Sequence, residues 1–352
     1  MVLTAEQRRA RILEIVRELG TVRVVDLAAR LGLSAVTTRR DIVILADDGL
    51  VHRSHGAVSL PSANRVGPAR TLTVGVLVPT VSSYFDEVLT GARTAAANKG
   101  AHLILGIAPY GSGSDQDRVQ RLLDSGADGL MLTPNWRPGC RPEDCAWITE
   151  IPVPVVLVER RPDAGSATAV LDSVGTDHRH GVLRALRHLV SLGHDDVLLA
   201  ARHDTWTAHQ IRVGYTQAAP LLGLGKQPVF DISEDGGDAE RLADWVAEGA
   251  SRGVRAVLVH NDQDAIQLPA LLRARGLRVP EDIALVSYDD IFAALAAPPL
   301  TAVGPPKRAV GAAALDLLVR RIEAGPALPV HHLELLPHLT VRTSCGGAAQ
   351  QR

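Results

Sequence analysis

Near the start of the chain the hydrophobic positions recur with helical spacing. Ile12, Ile15, Val16 and Leu19 fall at i, i+3, i+4 and i+7, which predicts an amphipathic helix opened by the capping box Thr4-Ala-Glu-Gln7 and stopped by Gly20. Thr21–Arg23 predicts a short strand. Val24–Leu31 predicts a second amphipathic helix, and Gly32-Leu33 a tight turn into a third that starts at the N-cap Ser34. Thr38, Ile42 and Leu45 give that third helix its buried stripe, which leaves Ala35, Thr37, Arg39 and Arg40 off the core face. Asp47-Asp48-Gly49 breaks it. Leu50–Arg53 and Ser54–Val58 then read as a two-stranded wing, with Thr21–Arg23 pairing to it. Two short helices at this spacing followed by a hairpin form a winged helix-turn-helix.

Residues 59–70 carry two prolines and no periodicity, the pattern of a linker. From Leu72 onward strands and helices alternate, which predicts an α/β fold with parallel sheets covered on both faces. Thr73–Val78 is a buried strand, Phe85–Lys99 a helix and His102–Ile107 the next strand; further units follow to Asp196–Ala201. A second series runs from the helix His209–Leu222 through the strands Val229–Ile232, Ala256–His260 and Ile283–Ser287 to the helix Ala309–Ala324 and a strand-like close at 330–341. The parse is a head at 1–58, a linker at 59–71 and a two-lobed core at 72–345. Lobe one takes about 72–200 and 302–325, and lobe two about 201–301 and 326–345.

Composition adds three constraints. At 352 residues and 46% hydrophobic content, the chain is long enough for two or three domains with a large core. Neither a signal-type apolar run nor a membrane-length span is visible, which points to the cytoplasm. Cys140, Cys145 and Cys345 lack zinc-type spacing, so they read as structural or incidental thiols. The net charge of −2 hides an asymmetry: residues 1–70 hold 11 Arg and no Lys against 7 acidic residues, while the remainder is acidic. That basic excess alone favours DNA only weakly, and the helix-turn-helix pattern gives it meaning.

Two resemblances sharpen the picture. The head resembles DeoR-type regulators over roughly residues 4–58, through Asp26-Leu27-Ala28, Leu33-Ser34, Thr37-Thr38-Arg39-Arg40-Asp41-Ile42, Leu45, Gly49-Leu50, Arg53 and His55-Gly56-Ala57. Thr38 stands where an apolar residue is usual, and Ala57 replaces the wing's second glycine. The core resembles the effector-binding core of the lactose/galactose-repressor family, which is similar to periplasmic sugar-binding proteins. Ala256–Gln263, Gly276–Asp290 and Pro298–Thr301 carry that likeness, supported by Val76–Pro79, Ser82–Phe85 and Leu192–His194. No hinge helix of that family's kind is visible in the linker.

The resemblance implies a regulator of transcription, a repressor of carbohydrate-use genes, with double-stranded operator DNA and a small sugar-like effector as partners and a homodimer as the working unit. It implies no cofactor. Ser34, Ala35, Thr37, Arg39 and Arg40 are the candidate groove residues, with Arg53 and His55 in the wing. Arg8, Arg9 and Arg11 suit phosphate contact or a solvated face equally well. In two-lobed cores the ligand lies at the carboxyl ends of strands, so Asp289, Asn261, Ser83 and Tyr84 are candidate effector residues. Asp177 joins them, followed by His178 where the family often has asparagine. Arg212 also joins them, two residues before Gly214 instead of three. Trp206 is a candidate stacking platform, while Trp136, Trp147 and Trp245 read as packing residues.

Competing readings accompany these. Asp262 and Asp290 suit helix caps, and Glu159-Arg160-Arg161 a strand-end charge cluster. Gly111-Ser-Gly113 lacks the third glycine of a dinucleotide loop, and His178-Arg-His180 and His331-His332 lack spaced partners for a metal. No nucleophile constellation indicates an enzyme. The rival functions are a sugar-binding receptor without DNA binding and a sugar-phosphate enzyme.

Overall fold

A computed structural model describes residues 5–19, 21–47, 50–54, 57–59, 71–81, 83–110, 115–136, 142–233 and 237–347. Thr4, Gly20, Asp48-Gly49, His55-Gly56, the linker from 60 to 70 and the Gly111 turn lie outside these residues. The chain divides into two compact units, Met1–Arg70 and Thr71–Arg352.

The head begins with α1 (Ala5–Leu19), β1 (Thr21–Arg23), α2 (Val24–Leu31) and α3 (Ala35–Asp47), and ends with β2 (His52–Ser54) and β3 (Ala57–Ser59). Gly32 ends α2 at φ 63°, a conformation that costs a residue with a Cβ, and its N–H donates to the carbonyls of Ala28 and Ala29. The three strands form an antiparallel sheet in the order β1-β3-β2, with Val22 opposite Val58 and Arg53 opposite Val58 from the other side. The wing and its pairing to strand 21–23 are as the pattern predicts. Ile12, Val16, Leu27, Ile42, Leu45 and Val58 make one buried cluster. Thr38 sits within the buried stripe without strain, because its hydroxyl donates to the Ser34 carbonyl at 3.1 Å.

The second unit runs β4 (Thr73–Val78), α4 (Ser83–Lys99), β5 (His102–Ile107), α5 (Asp115–Asp124), β6 (Gly129–Leu132), β7 (Val155–Val158) and β8 (Asp172–Thr176). It continues with α6 (His178–Ser191), β9 (Leu198–Arg202), α7 (Trp206–Leu221), β10 (Val229–Ile232), α8 (Ala239–Ser251) and β11 (Ala256–His260). Next come α9 (Asp262–Ala265), α10 (Leu268–Ala274), β12 (Ala284–Tyr288), β13 (Thr301–Gly304), α11 (Lys307–Ala324), β14 (His332–Leu335) and β15 (His338–Thr340). One sheet, β14-β8-β7-β6-β4-β5, is wholly parallel. The other, β10-β9-β11-β12-β13-β15, is parallel except for β15, which runs against β13. The unbroken apolar runs of β6 and β7 follow from burial on both faces.

This is the two-lobed α/β core expected, but the lobe boundaries differ from the sequence parse. The chain crosses after β8 and after β14 where the parse set crossings near 201 and 326, while the middle crossing, after β13, falls within a few residues of the 302 expected. Helix α6 packs on α7, β13 and β15 and so belongs to the second lobe; α11 packs on α4 and β6–β8 and so belongs to the first. Strand β14 returns to the first sheet and only β15 joins the second. An amphipathic stripe says that a helix covers a sheet without saying which of two sheets. The α4–α11 contact is backbone to backbone: a Cβ at Gly91 would overlap the Arg308 carbonyl, and one at Gly311 the Val88 carbonyl.

Candidate functional site

In the head, Ser34 Oγ accepts from the Thr37 amide at 3.1 Å and lies 2.8 Å from the Thr37 hydroxyl, so the first turn of α3 is capped by its own side chains. Asp41, at the back of α3, is buried and accepts from Arg8 Nε of α1 at 2.8 Å, which fixes the angle of α3 against α1. That contact also settles Arg8 as a structural partner and not part of a freely solvated face. Ser34, Arg39 and Arg40 are exposed, with Ala35 and Thr37 half-buried beside them. Arg53 lies in β2 on the wing, without a described side chain, and His55 is outside the described residues.

In the second unit a cavity of about 200 Å³ opens between the lobes at the carboxyl ends of the strands. Thr80, Ser83, Tyr84, Phe85 and Tyr110 form one wall; Arg202, Thr205, Thr207, His260, Asn261, Asp289 and Phe292 contribute to the other. Four predicted residues, Ser83, Tyr84, Asn261 and Asp289, therefore converge.

Asp289 is the most exceptional of them. It sits at φ 94° and Asp290 at φ 51°, left-handed conformations that non-glycine residues avoid and that gather at ligand sites. Its Oδ1 is buried with no hydrogen-bond partner among the described residues. Burial pushes its carboxyl up to about 7; nearby Lys307 opposes the rise and Asp262 adds to it. Lys307, at the start of α11, donates its Nζ to the Asp289 carbonyl and stands 5.4 Å from the Tyr84 ring centroid, and burial lowers its pKa.

The turn that carries Asp289 is held from below by Asp262, which accepts from Ser287 Oγ at 2.6 Å and from the amides of Ile291 and Phe292 at 2.6 and 3.0 Å. Asp262 thus anchors a loop and does not cap a helix. Asn261 is the cap of α9, its side-chain oxygen accepting from the Gln263 amide at 3.0 Å, so its amide NH₂ is the group left for a ligand. Asp290 ties the same turn to the lobe through Arg342 at 2.7 Å and Thr340 at 2.8 Å.

Beneath Tyr84 lies a buried polar chain that sequence reasoning did not find. Tyr84 donates to Glu159 Oε1 at 2.8 Å, and Glu159 also accepts from the Thr176 hydroxyl at 2.9 Å and the Thr176 amide at 3.0 Å. His178 Nε2 stands 3.5 Å from Glu159 Oε2, and its Nδ1 3.2 Å from the Tyr288 hydroxyl. Burial raises the Glu159 carboxyl, but His178, the Thr176 amide and Tyr84 outweigh it and hold the pKa below the ordinary value. Burial beside Glu159 and Asp289 keeps the Tyr84 phenol well above its usual pKa. Glu159, just past the end of β7, is therefore a buried contact between the lobes.

Three predicted effector residues stand elsewhere. Asp177 accepts from the His180 amide at 2.9 Å as N-cap of α6. It lines a second, smaller cavity together with Trp206, which packs at 5.7 Å against both Trp136 and His209. Arg212 lines neither cavity. Its guanidinium is spent on the carbonyls of Ala201 and Arg202, the latter at 2.7 Å, and on Asp231 at 2.6 Å. The arginine that lines the cleft is Arg202, held at 2.6 Å by Asp204. His260, also missed, is buried in the cleft wall, where burial lowers its pKa to about 3, so it stands as a neutral ring.

A capped, arginine-bearing helix in a winged head and a polar cleft between two α/β lobes define a ligand-responsive DNA-binding regulator of transcription. Residues 8–64 match the DeoR-like helix-turn-helix domain, and residues 186–345 the periplasmic binding protein-like domain. The chain is 28% identical over 267 residues to the HTH-type transcriptional repressor PurR of Vibrio campbellii, covering 72% of this chain and 75% of that protein. It is 29% identical to the ribose operon repressor of Escherichia coli over 78% of this chain and 82% of that one. Among solved structures, the transcriptional regulator CelR in complex with cellobiose superposes with a TM-score of 0.66 at 25% identity, covering 89% of this chain and 91% of that one. The chain thus joins a DeoR-like helix-turn-helix domain to a periplasmic binding protein-like core, and it is similar along most of its length to transcriptional repressors.

Proposed function

We propose that the cleft binds a neutral, polyhydroxylated, sugar-like effector and that the protein controls carbohydrate-use genes with it. The observation that carries this is Asp289: a buried carboxylate oxygen without a protein partner, facing a cleft that offers the Asn261 amide, Ser83, Thr205, Thr207 and Arg202 as further donors and acceptors and Tyr84 and Phe292 as apolar faces. The several hydroxyls of a sugar can donate to Asp289 and accept from the Asn261 amide and the neighbouring donors of the cleft. Relatives named for ribose and cellobiose support the same class.

On the DNA side, Ser34, Ala35, Thr37, Arg39 and Arg40 enter the major groove, with Arg53 and His55 on the flanking backbone. Arg202 joins the effector set as a new member. The protein works in the cytoplasm as a homodimer, two heads reading the halves of one operator, and not as an enzyme; its repressor relatives support both readings.

The test is thermal unfolding of the full-length protein against free sugars, sugar alcohols, sugar phosphates and nucleobases. At a hundredfold excess over its dissociation constant a true effector adds about 2.7 kcal/mol to the native state and raises Tm by a few degrees. A nucleobase as the sole hit would overturn the sugar assignment.

A further inference from the structure

The face of α3 that is turned away from the core holds one residue the charge pattern hides. With 100° per residue, the buried stripe of Thr38, Ile42 and Leu45, with Asp41 beside it, points inward, and the position diametrically opposite is Val36. Val36 is 76% exposed, near the most exposed of the large apolar side chains, and Arg39 and Arg40 flank it on either side of the same face. Its neighbours in the capped first turn, Ser34 and Thr37, are hydrogen-bonded to each other. Helix α3 therefore presents two cations and one branched apolar group on one face of its first two turns.

We propose that Val36 reads sequence, packing against the 5-methyl group of a thymine in the operator's major groove. The charges commit this face to a polyanion, since Arg39 and Arg40 have no ion-pair partner among the described residues. Within a major groove the one apolar feature a base edge presents is the thymine methyl, and recognition helices approach base edges with their N-terminal residues. A β-branched side chain is suited to the task because its χ1 is restricted on a helix, so little rotamer freedom is lost on contact. The inference rests on the reading of α3 as the groove-entering helix and adds the base that its central residue selects.

The experiment enriches duplexes from a random pool with full-length protein, then replaces each thymine of the preferred site singly by deoxyuridine, which lacks only the methyl group. Affinities are read at one fixed salt concentration. For the unaltered protein, one thymine per half-site should be sensitive, with about a fourfold loss expected for a buried methyl. Val36→Ala should bind the thymine duplex more weakly and show no further loss with deoxyuridine at that position, while its salt dependence stays that of the parent protein. Arg40→Ala should flatten the salt dependence and keep the deoxyuridine effect. Unchanged affinity at every deoxyuridine position, or losses from Val36→Ala and deoxyuridine that simply multiply, would overturn the role of Val36 while leaving the groove-entering helix intact. If Arg40→Ala and Val36→Ala both leave binding unchanged, α3 is not the reading helix and both readings fall.

Discussion

At the scale of single residues, Asp289 sets the chemistry of the cleft. An aspartate in an unfolded chain titrates near 3.9 on average, and burial pushes this one up to about 7. The folded state thus holds its proton more tightly than the unfolded one. The stabilisation this gives is complete below about pH 4 and lost as pH rises through 7. Asp289→Asn removes that dependence, so the variant should melt at or above the parent at pH 8 while binding no effector, as read by calorimetry. A sugar hydroxyl donates to the ionised form, so effector affinity should rise between pH 6 and 8. Titrations in two buffers of different ionisation enthalpy should show proton release near pH 7. Asp289, Asn261, Ser83 and Tyr84 were legible in the sequence because each stands at or just past a strand end inside a specific motif. Arg202 was not, because the choice between it and Arg212 depends on which guanidinium finds backbone carbonyls in space.

At the scale of elements, periodicity gave nearly every helix and strand of the head, and the turn at Gly32 with its positive φ followed from a glycine between two amphipathic runs. Helix α11 lies in the first lobe as the parse had it, while the assignment of α6 and β14 to lobes was beyond periodicity. Those elements carry the same apolar stripe whichever sheet they cover, and the deciding detail is steric fit, as in the glycine contact of α4 with α11. Gly311→Ala should force the two helices apart and cost about 1–3 kcal/mol of core stability, the range for overpacking a close contact. Denaturant unfolding of the full-length protein checks it, and Ala313→Gly, on the half-buried side of the same helix, serves as the control for helix propensity.

At the scale of the whole molecule, two compact units divide the labour. Arg39→Ala with Arg40→Ala should abolish DNA binding in a fluorescence-anisotropy titration and leave the effector's thermal shift unchanged. Persistence of DNA binding in that double variant would move the reading surface to the wing. A receptor lacking DNA function would show no affinity to lose, and so the same pair of measurements separates the rival activities.

The buried chain from Tyr84 through Glu159 and His178 to Tyr288 has a mechanical meaning. Tyr84 and Glu159 ride on the first lobe, His178 and Tyr288 on the second, and Lys307 adds a second rivet through the Asp289 carbonyl. Parting the lobes would separate the Glu159 carboxylate from the His178 ring and Lys307 from the Asp289 carbonyl. The two lobes are therefore joined by polar contacts that a separation would break together.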